Sequence, residues 1–259
     1  MLRAAAFALL ALLPSMGAAI DRFEIQVYEA EVDDPGQASL EVHANFTGKG
    51  ERTPAYPGET PPHHAFRLTF EPAVGVTRWL ELGGYLLTMA APGEGYRYAG
   101  AKLRAKLVVP RGDGPGFFYG LNVEVGRVPS FVEEEGWANE FRPIVGWTDG
   151  TWLVDLNPIF GYALTGPERL RVDLEPAAKV SWNTGRGFAV GVEWYGELGF
   201  VDALHPPSRQ AHYLFGVLDL AGAPGREPGP WELNLAAGGG VSSAADQQFL
   251  VKVIVGRSF

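Results

Sequence analysis

Acids and bases recur at alternate positions in this sequence: Glu41 and His43, Glu140 and Arg142, and the triplet Lys102, Arg104 and Lys106. Arg67, Glu71, Glu124, Asp155, Glu175, Lys179 and Glu193 stand in similar stretches, with apolar residues between. Carboxylates beside bases can move protons or hold a cation. Opposed charges around a shared space can select the ions or solutes that cross it. Nothing in the sequence sharpens the first option. There is no G-x-S-x-G elbow, H-E-x-x-H pair or P-loop. His63 and His64 are adjacent, which suits a loop better than a metal site. Ser242 and Ser243 lie in a Gly/Ala-rich loop, and Asn45-Phe46-Thr47 matches a glycosylation sequon only inside a strand pattern. No catalytic residue, metal ligand or cofactor is expected.

The elements that position these charges are strands. In LEVHANFT, Leu40, Val42, Ala44 and Phe46 oppose Glu41, His43, Asn45 and Thr47. In FAVGVEWYGE, Phe188, Val190, Val192 and Trp194 oppose Ala189, Gly191, Glu193, Tyr195 and Glu197. Period two predicts strands with one apolar and one polar face. Thirteen such segments lie near 22–32, 38–48, 64–75, 79–89, 97–109, 117–126, 138–147, 151–163, 172–182, 187–197, 211–220, 230–238 and 248–259.

Connections alternate too. Short Gly/Pro-rich turns, such as DDPGQ and PRGDGPG, take turns with longer polar loops. Of seven Trp residues, Trp79, Trp147, Trp152, Trp182 and Trp231 sit beside short turns. Phe259 ends the last strand at the same end. Indole settles where apolar and aqueous phases meet, so these six residues predict a girdle at one membrane boundary. Phe46, Phe66, Tyr162, Trp194 and Tyr213 are expected to form the opposite girdle.

Residues 1–19 read as a secretory signal peptide: Arg3, an apolar run Ala4–Leu13, and small residues before a cleavage site after Ala19. With no cysteine, an exported chain has no disulfide framework. A formal charge of −9 argues against a nucleic-acid partner. Together these features predict an all-β fold: an antiparallel up-and-down transmembrane β-barrel in the bacterial outer membrane, with lipid as its surroundings. Single-chain barrels have even strand numbers, so twelve strands are assigned to residues 37–259. Residues 20–36 are left as an N-terminal segment at the periplasmic mouth or in the lumen. The alternating charges then line the lumen and become candidates for selectivity. Pro72, Pro143, Pro158 and Pro176 fall inside predicted strands, where bulges or kinks are expected.

The stretches VDDPGQASLEVHANF, PPHHAFRLTFEPAVGVTRWLELGGYL, FRPIVGW, LEPAAKVSW and AVGVEWYGELG resemble proteobacterial outer-membrane proteins of the transporter type. That group is similar to the channel-like family linked to phenol-degradation operons. The resemblance covers most of residues 21–259 and implies a barrel that passes small solutes, with no catalytic residues to carry over. The final strand also resembles the signal read by the barrel-assembly machinery, departing from it at Arg257. A passive channel or uptake protein is therefore expected. A closed barrel with an envelope-maintenance role is the main alternative, and an outer-membrane hydrolase a more distant one.

Overall fold

The computed structural model describes residues 21–112, 114–166, 168–220 and 231–259. Residues 1–19, read above as a signal peptide, and the whole of the turn near 221–229 lie outside them. Twelve wall strands run in chain order: β1 (Ala38–Gly50), β2 (Phe66–Thr77), β3 (Leu80–Ala91), β4 (Gly95–Val108), β5 (Gly116–Arg127) and β6 (Trp137–Thr148). β7 comprises Trp152–Asn157 and Phe160–Ala163, and β8 comprises Asp173–Leu174 and Ala177–Asn183. β9 (Ala189–Glu197, extended by Gly199–Phe200), β10 (Ala211–Asp219), β11 (Trp231–Gly240) and β12 (Gln247–Ser258) complete the wall. Each strand pairs antiparallel with its neighbours in sequence.

β12 pairs back onto β1, from Ser39 opposite Ser258 to Gly50 opposite Gln247, and Phe259 N–H donates to Ala38 O at 2.8 Å. The sheet is thus closed and has no free edge, the state that leaves no unpaired ladder to template aggregation.

The polarity is the reverse of a water-soluble barrel. Leu82, Leu86, Leu103, Val145, Val154, Leu156, Val180, Val192 and Leu214 are exposed on the outside. His43, Arg67, Thr69, Glu71, Asn122, Glu124, Arg142, Asp155 and Lys252 are buried. Trp79, Trp152, Trp182, Trp231 and Phe259 are exposed at the short-turn end, with Trp147 half-buried among them. The Arg257 guanidinium lies 4.8 Å from the Trp231 ring centroid and 5.0 Å from that of Phe259. The departure at Arg257 is therefore accommodated as a cation held between two girdle rings.

At the long-loop end Phe46 and Phe66 are exposed, but Tyr213 is not part of that girdle. It is 1% exposed and points inward, with its hydroxyl donating to Asp246 at 2.5 Å. β10 reads AHYLFGVLD and is apolar on both faces, so period two alone could not orient it.

Three of the four prolines produce a crease rather than bulges, and Pro72 sits opposite Leu40 with no register shift beside it. β6 and β7 keep one register above and below the break in β7, from Val145 opposite Leu156 to Phe141 opposite Phe160. Pro143 therefore faces Pro158. The β7–β8 register is likewise continuous, from Asn157 opposite Ala177 to Phe160 opposite Leu174, so Pro158 faces Pro176. Three neighbouring strands lack a donor at the same level. The ladder resumes at once, with Glu175 N–H donating to Ile159 O and Gly196 N–H to Pro176 O, each at 2.9 Å.

The segment 22–32 is not a wall strand. It runs as an extended tail through the barrel interior, and Phe23, Glu24, Ile25, Val27 and Tyr28 are all buried. Near the short-turn end the chain wraps the edge of β2, where Gly36 N–H donates to Gly75 O and Gly75 N–H to Gln37 O. A side chain at Gly75 would collide with the Asp33 and Asp34 carbonyl oxygens. Gly75→Val is accordingly expected to displace this turn and speed proteolysis within residues 21–34, with the barrel itself intact. Unchanged cleavage of the tail would contradict this packing.

Candidate functional site

The interior has two unlike walls, and the tail lies between them. On one side Tyr195, Tyr213, Phe215, Val217, Ala236 and Leu250 form an apolar surface that takes Ile25 and Val27. On the other stand most of the charges, on β1 to β8; Glu193 and Lys252 are set into the apolar side, and Phe23 packs on the charged side against Leu87 and Met89. An extended chain alternates its side chains, so DRFEIQVYEAEV carries an apolar face for one wall and a polar face for the other.

The wall also replaces the sheet ladder for the tail's backbone. Asn45 Nδ2 donates to Phe23 O at 3.0 Å, Lys252 Nζ to Ile25 O at 2.8 Å, and an Arg142 guanidinium nitrogen to Gln26 O at 3.3 Å. Asn157 mimics a neighbouring strand: its Nδ2 donates to Tyr28 O at 3.0 Å and its Oδ1 accepts from Tyr28 N–H at 2.7 Å. A buried backbone group left unpaired costs about as much as a lost hydrogen bond, which accounts for polar side chains at these depths.

All fourteen charged positions read from the alternation lie on the inner face, and most are committed to partners. Arg104 turns away from Glu124, its register partner on β5, and binds Glu81 on β3 at 2.7 Å and, over Gly83, Glu71 on β2 at 2.6 Å. Arg142 pairs with Glu140 on its own strand at 2.7 Å and lies 4.5 Å above the Tyr28 ring. Lys102 contacts Asp21, and also Glu24 at 3.4 Å and Glu124 at 3.3 Å. Lys179 bridges Glu29 at 3.1 Å and Asp219 at 3.0 Å. Glu193 binds Lys252 at 2.5 Å and accepts from Tyr195 Oη at 2.7 Å. Lys106 lies 5.2 Å from the Tyr28 ring centroid. Asp155 accepts from Asn157 Nδ2 at 3.1 Å, its other carboxylate oxygen having no protein partner, and Glu175 shares the inner face of β8 with Lys179.

Arg67 is 2% exposed and donates to Thr47 Oγ1 at 3.1 Å, with Phe23 beside it. Glu41, His43 and Glu71 cluster, with His43 Nε2 2.9 Å from Glu71 and 3.5 Å from Glu41. Arg104 already neutralises Glu71, and His43 Nδ1 has no partner to orient the ring. The cluster is a hydrogen-bonded group of acid and imidazole, and nothing holds the far ring nitrogen as one would be held in a metal-ligating histidine.

Several groups of this site escape the charge pattern. Tyr28 Oη meets Tyr85 Oη at 2.6 Å, and Tyr85 donates to Glu124 at 3.1 Å, as does Asn122 Nδ2 at 2.7 Å. Tyr85 and Asn122 share strand parity with Glu81 and Glu124, so parity alone could have found them. At the long-loop mouth Arg22 binds Glu59 at 3.2 Å and Asp246 at 2.5 Å. The void beside Arg22 and Phe23 is only about 10 Å³, room for about one water.

A closed twelve-stranded barrel with a polar interior and an apolar exterior is the architecture of outer-membrane channels. No family model and no curated protein matches the sequence. Among solved structures, the fold is similar to an outer-membrane channel from Pseudomonas putida F1, with a TM-score of 0.60 and 12% identity over 91% of this chain and 100% of that one. NanC porin gives a TM-score of 0.55 at 10% identity, over 85% of this chain and 98% of the other. KdgM porin gives 0.53 at 12%, over 85% and 99%. At such identities the likeness is one of fold.

Proposed function

We propose that this protein spans the bacterial outer membrane and passes small solutes when residues 21–32 leave the lumen. The observation that carries this reading is how the tail is held. Its backbone is satisfied by wall side chains that water could equally satisfy, inside a polar shaft with no covalent closure. A twelve-residue strand covers about 40 Å, enough at a tilt of roughly 40° to cross an apolar band of about 25 Å. The resemblance of stretches of the sequence to outer-membrane proteins of the transporter type, with the fold likeness to outer-membrane channels and porins, supports a channel without naming a solute. The aromatic girdle and the closing pairing of β12 on β1 support insertion by the barrel-assembly machinery. The filled interior favours one competing reading, a closed barrel with a structural role.

The two readings differ in their response to pH. Burial pushes the Glu24 carboxyl well above its usual range; Lys102 opposes this, while Glu124, Asp21 and Glu71 add to it. The seated tail thus prefers protonated Glu24. That contribution is present below the ordinary glutamate range and is lost as pH rises above it. Burial also pushes Asp21 up, but Lys102 beside it outweighs this and holds it below its usual range. Its contribution fails only in stronger acid. Conductance in planar bilayers is therefore expected to rise severalfold between about pH 5 and pH 8, and Glu24→Gln to flatten the rise. A folded protein silent at every pH would leave the structural reading in place.

A further inference from the structure

At the long-loop end, β5 leaves the wall. Arg127 is its last residue, opposite Ala101 of β4 and Trp137 of β6. The chain then turns inward. Val128 packs with Phe23, Leu87 and Met89 inside the barrel, and Thr60 N–H donates to Phe131 O at 2.8 Å, drawing the following loop across the mouth. β4 continues past Ala101 to Gly95 with no β5 partner. The outer surface is left with a notch of about 450 Å³, floored by Val128 and Pro129 and walled by Tyr98, Leu103, Val125 and Trp137.

Three observations identify what fills it. The notch lies on the apolar exterior, and Leu103, at 69%, is the most exposed large apolar side chain among the described residues. Arg127 is exposed on this same outward face and has no hydrogen bond or ion pair among the described residues, whereas the cations of the inner wall sit among acids, carbonyls or aromatic rings. It also stands at the strand end beside Trp137, the depth at which indole meets lipid headgroups. An apolar slot capped by a free guanidinium is complementary to an acyl chain below a phosphate, which arginine can bind through two parallel N–H donors.

We propose that the notch between β4 and β6 binds a phosphorylated glycolipid of the outer leaflet, one acyl chain lying against Leu103 and Val125 and a phosphate on Arg127. The site rests on the membrane placement argued above and not on conduction.

The test places purified protein in nanodiscs containing either lipid A or dephosphorylated lipid A, and counts retained lipid by native mass spectrometry. The wild type is expected to retain the phosphorylated form about tenfold better. Arg127→Gln should abolish that preference, and Leu103→Trp, which fills the slot, should lower retention of both forms. Both side chains point outward, so neither variant disturbs the interior. Equal retention of the two lipids by the wild type, or retention unchanged in both variants, overturns the site. Failure of the wild type to insert into nanodiscs at all overturns the membrane placement, and the site with it.

Discussion

Deleting residues 21–32 is expected to raise single-channel conductance on the order of tenfold, because the deletion empties the shaft without opening the wall. The tail contributes Phe23, Ile25, Val27 and Tyr28 to the interior, each buried to 4% exposure or less. Losing that burial costs at most about 1.5–3 kcal/mol per side chain, an upper estimate because water and rearranged side chains refill the space. Closure of β12 on β1 and the turn around Gly75 both lie outside the deleted stretch. The deleted protein should therefore still show the gel-mobility shift of a folded barrel on boiling. Lys102, Arg142 and Lys252 lose tail partners but keep Glu124, Glu140 and Glu193. The emptied lumen thus carries paired charges of both signs, and only mild ion selectivity is expected. A folded deletion variant with wild-type conductance would refute the tail as the closure.

Lys252→Met should be the most damaging single substitution in the lumen. Lys252 is fully buried and donates both to Glu193 and to the Ile25 carbonyl. Methionine has nearly the same length but offers neither donor. Glu193 is left charged, with Tyr195 Oη as its remaining partner, and the tail loses one anchor. Breaking a buried pair from one side typically costs about 3–5 kcal/mol. This should appear as a lower temperature for the loss of the folded gel form, together with higher conductance from a loosened tail. Adding Glu193→Gln removes the stranded charge and should restore more than half of the lost stability. If the two substitutions were instead additive, Lys252 and Glu193 would not be energetically coupled.

How much of this could be read beforehand depended on whether one physical cause set the pattern. Strands such as β9 separate lipid-facing from inward residues cleanly, so Glu193 and Val192 could be assigned to opposite faces from spacing alone. β10 could not, because its inner face meets the apolar side of the tail. Tyr213 therefore looked like a girdle residue. Residues 22–32 imitate a wall strand for the same reason: a chain lying between an apolar and a charged surface alternates just as a strand does. Partner choice was less legible than facing. Arg104 stands opposite Glu124 in register yet takes Glu71 and Glu81, because Gly83 on the other neighbouring strand leaves room for its side chain to pass, which spacing does not encode. The alignment of Pro143, Pro158 and Pro176 likewise needed the register of three strands. The spacing ends β5 at 126, one residue short of Arg127, but does not show that the chain turns inward there.

The route of the tail has a topological consequence. Asp21 lies at the long-loop mouth against Lys102, while Asp33 lies at the opposite mouth, its N–H donating to Glu81 at 2.7 Å, just before the chain enters β1. Among the described residues the tail is therefore inserted through the ring from the end at which it is tethered, without knot or loop around any strand. Pulled from its tethered end, it would slide out lengthwise. Glu29 would part from Lys179 first, then Tyr28 from Asn157, then Ile25 from Lys252, with Arg22 last. No barrel strand has to separate for this to happen. Resistance to extraction becomes a series of small steps, each about the size of one or two hydrogen bonds, in place of one concerted barrier.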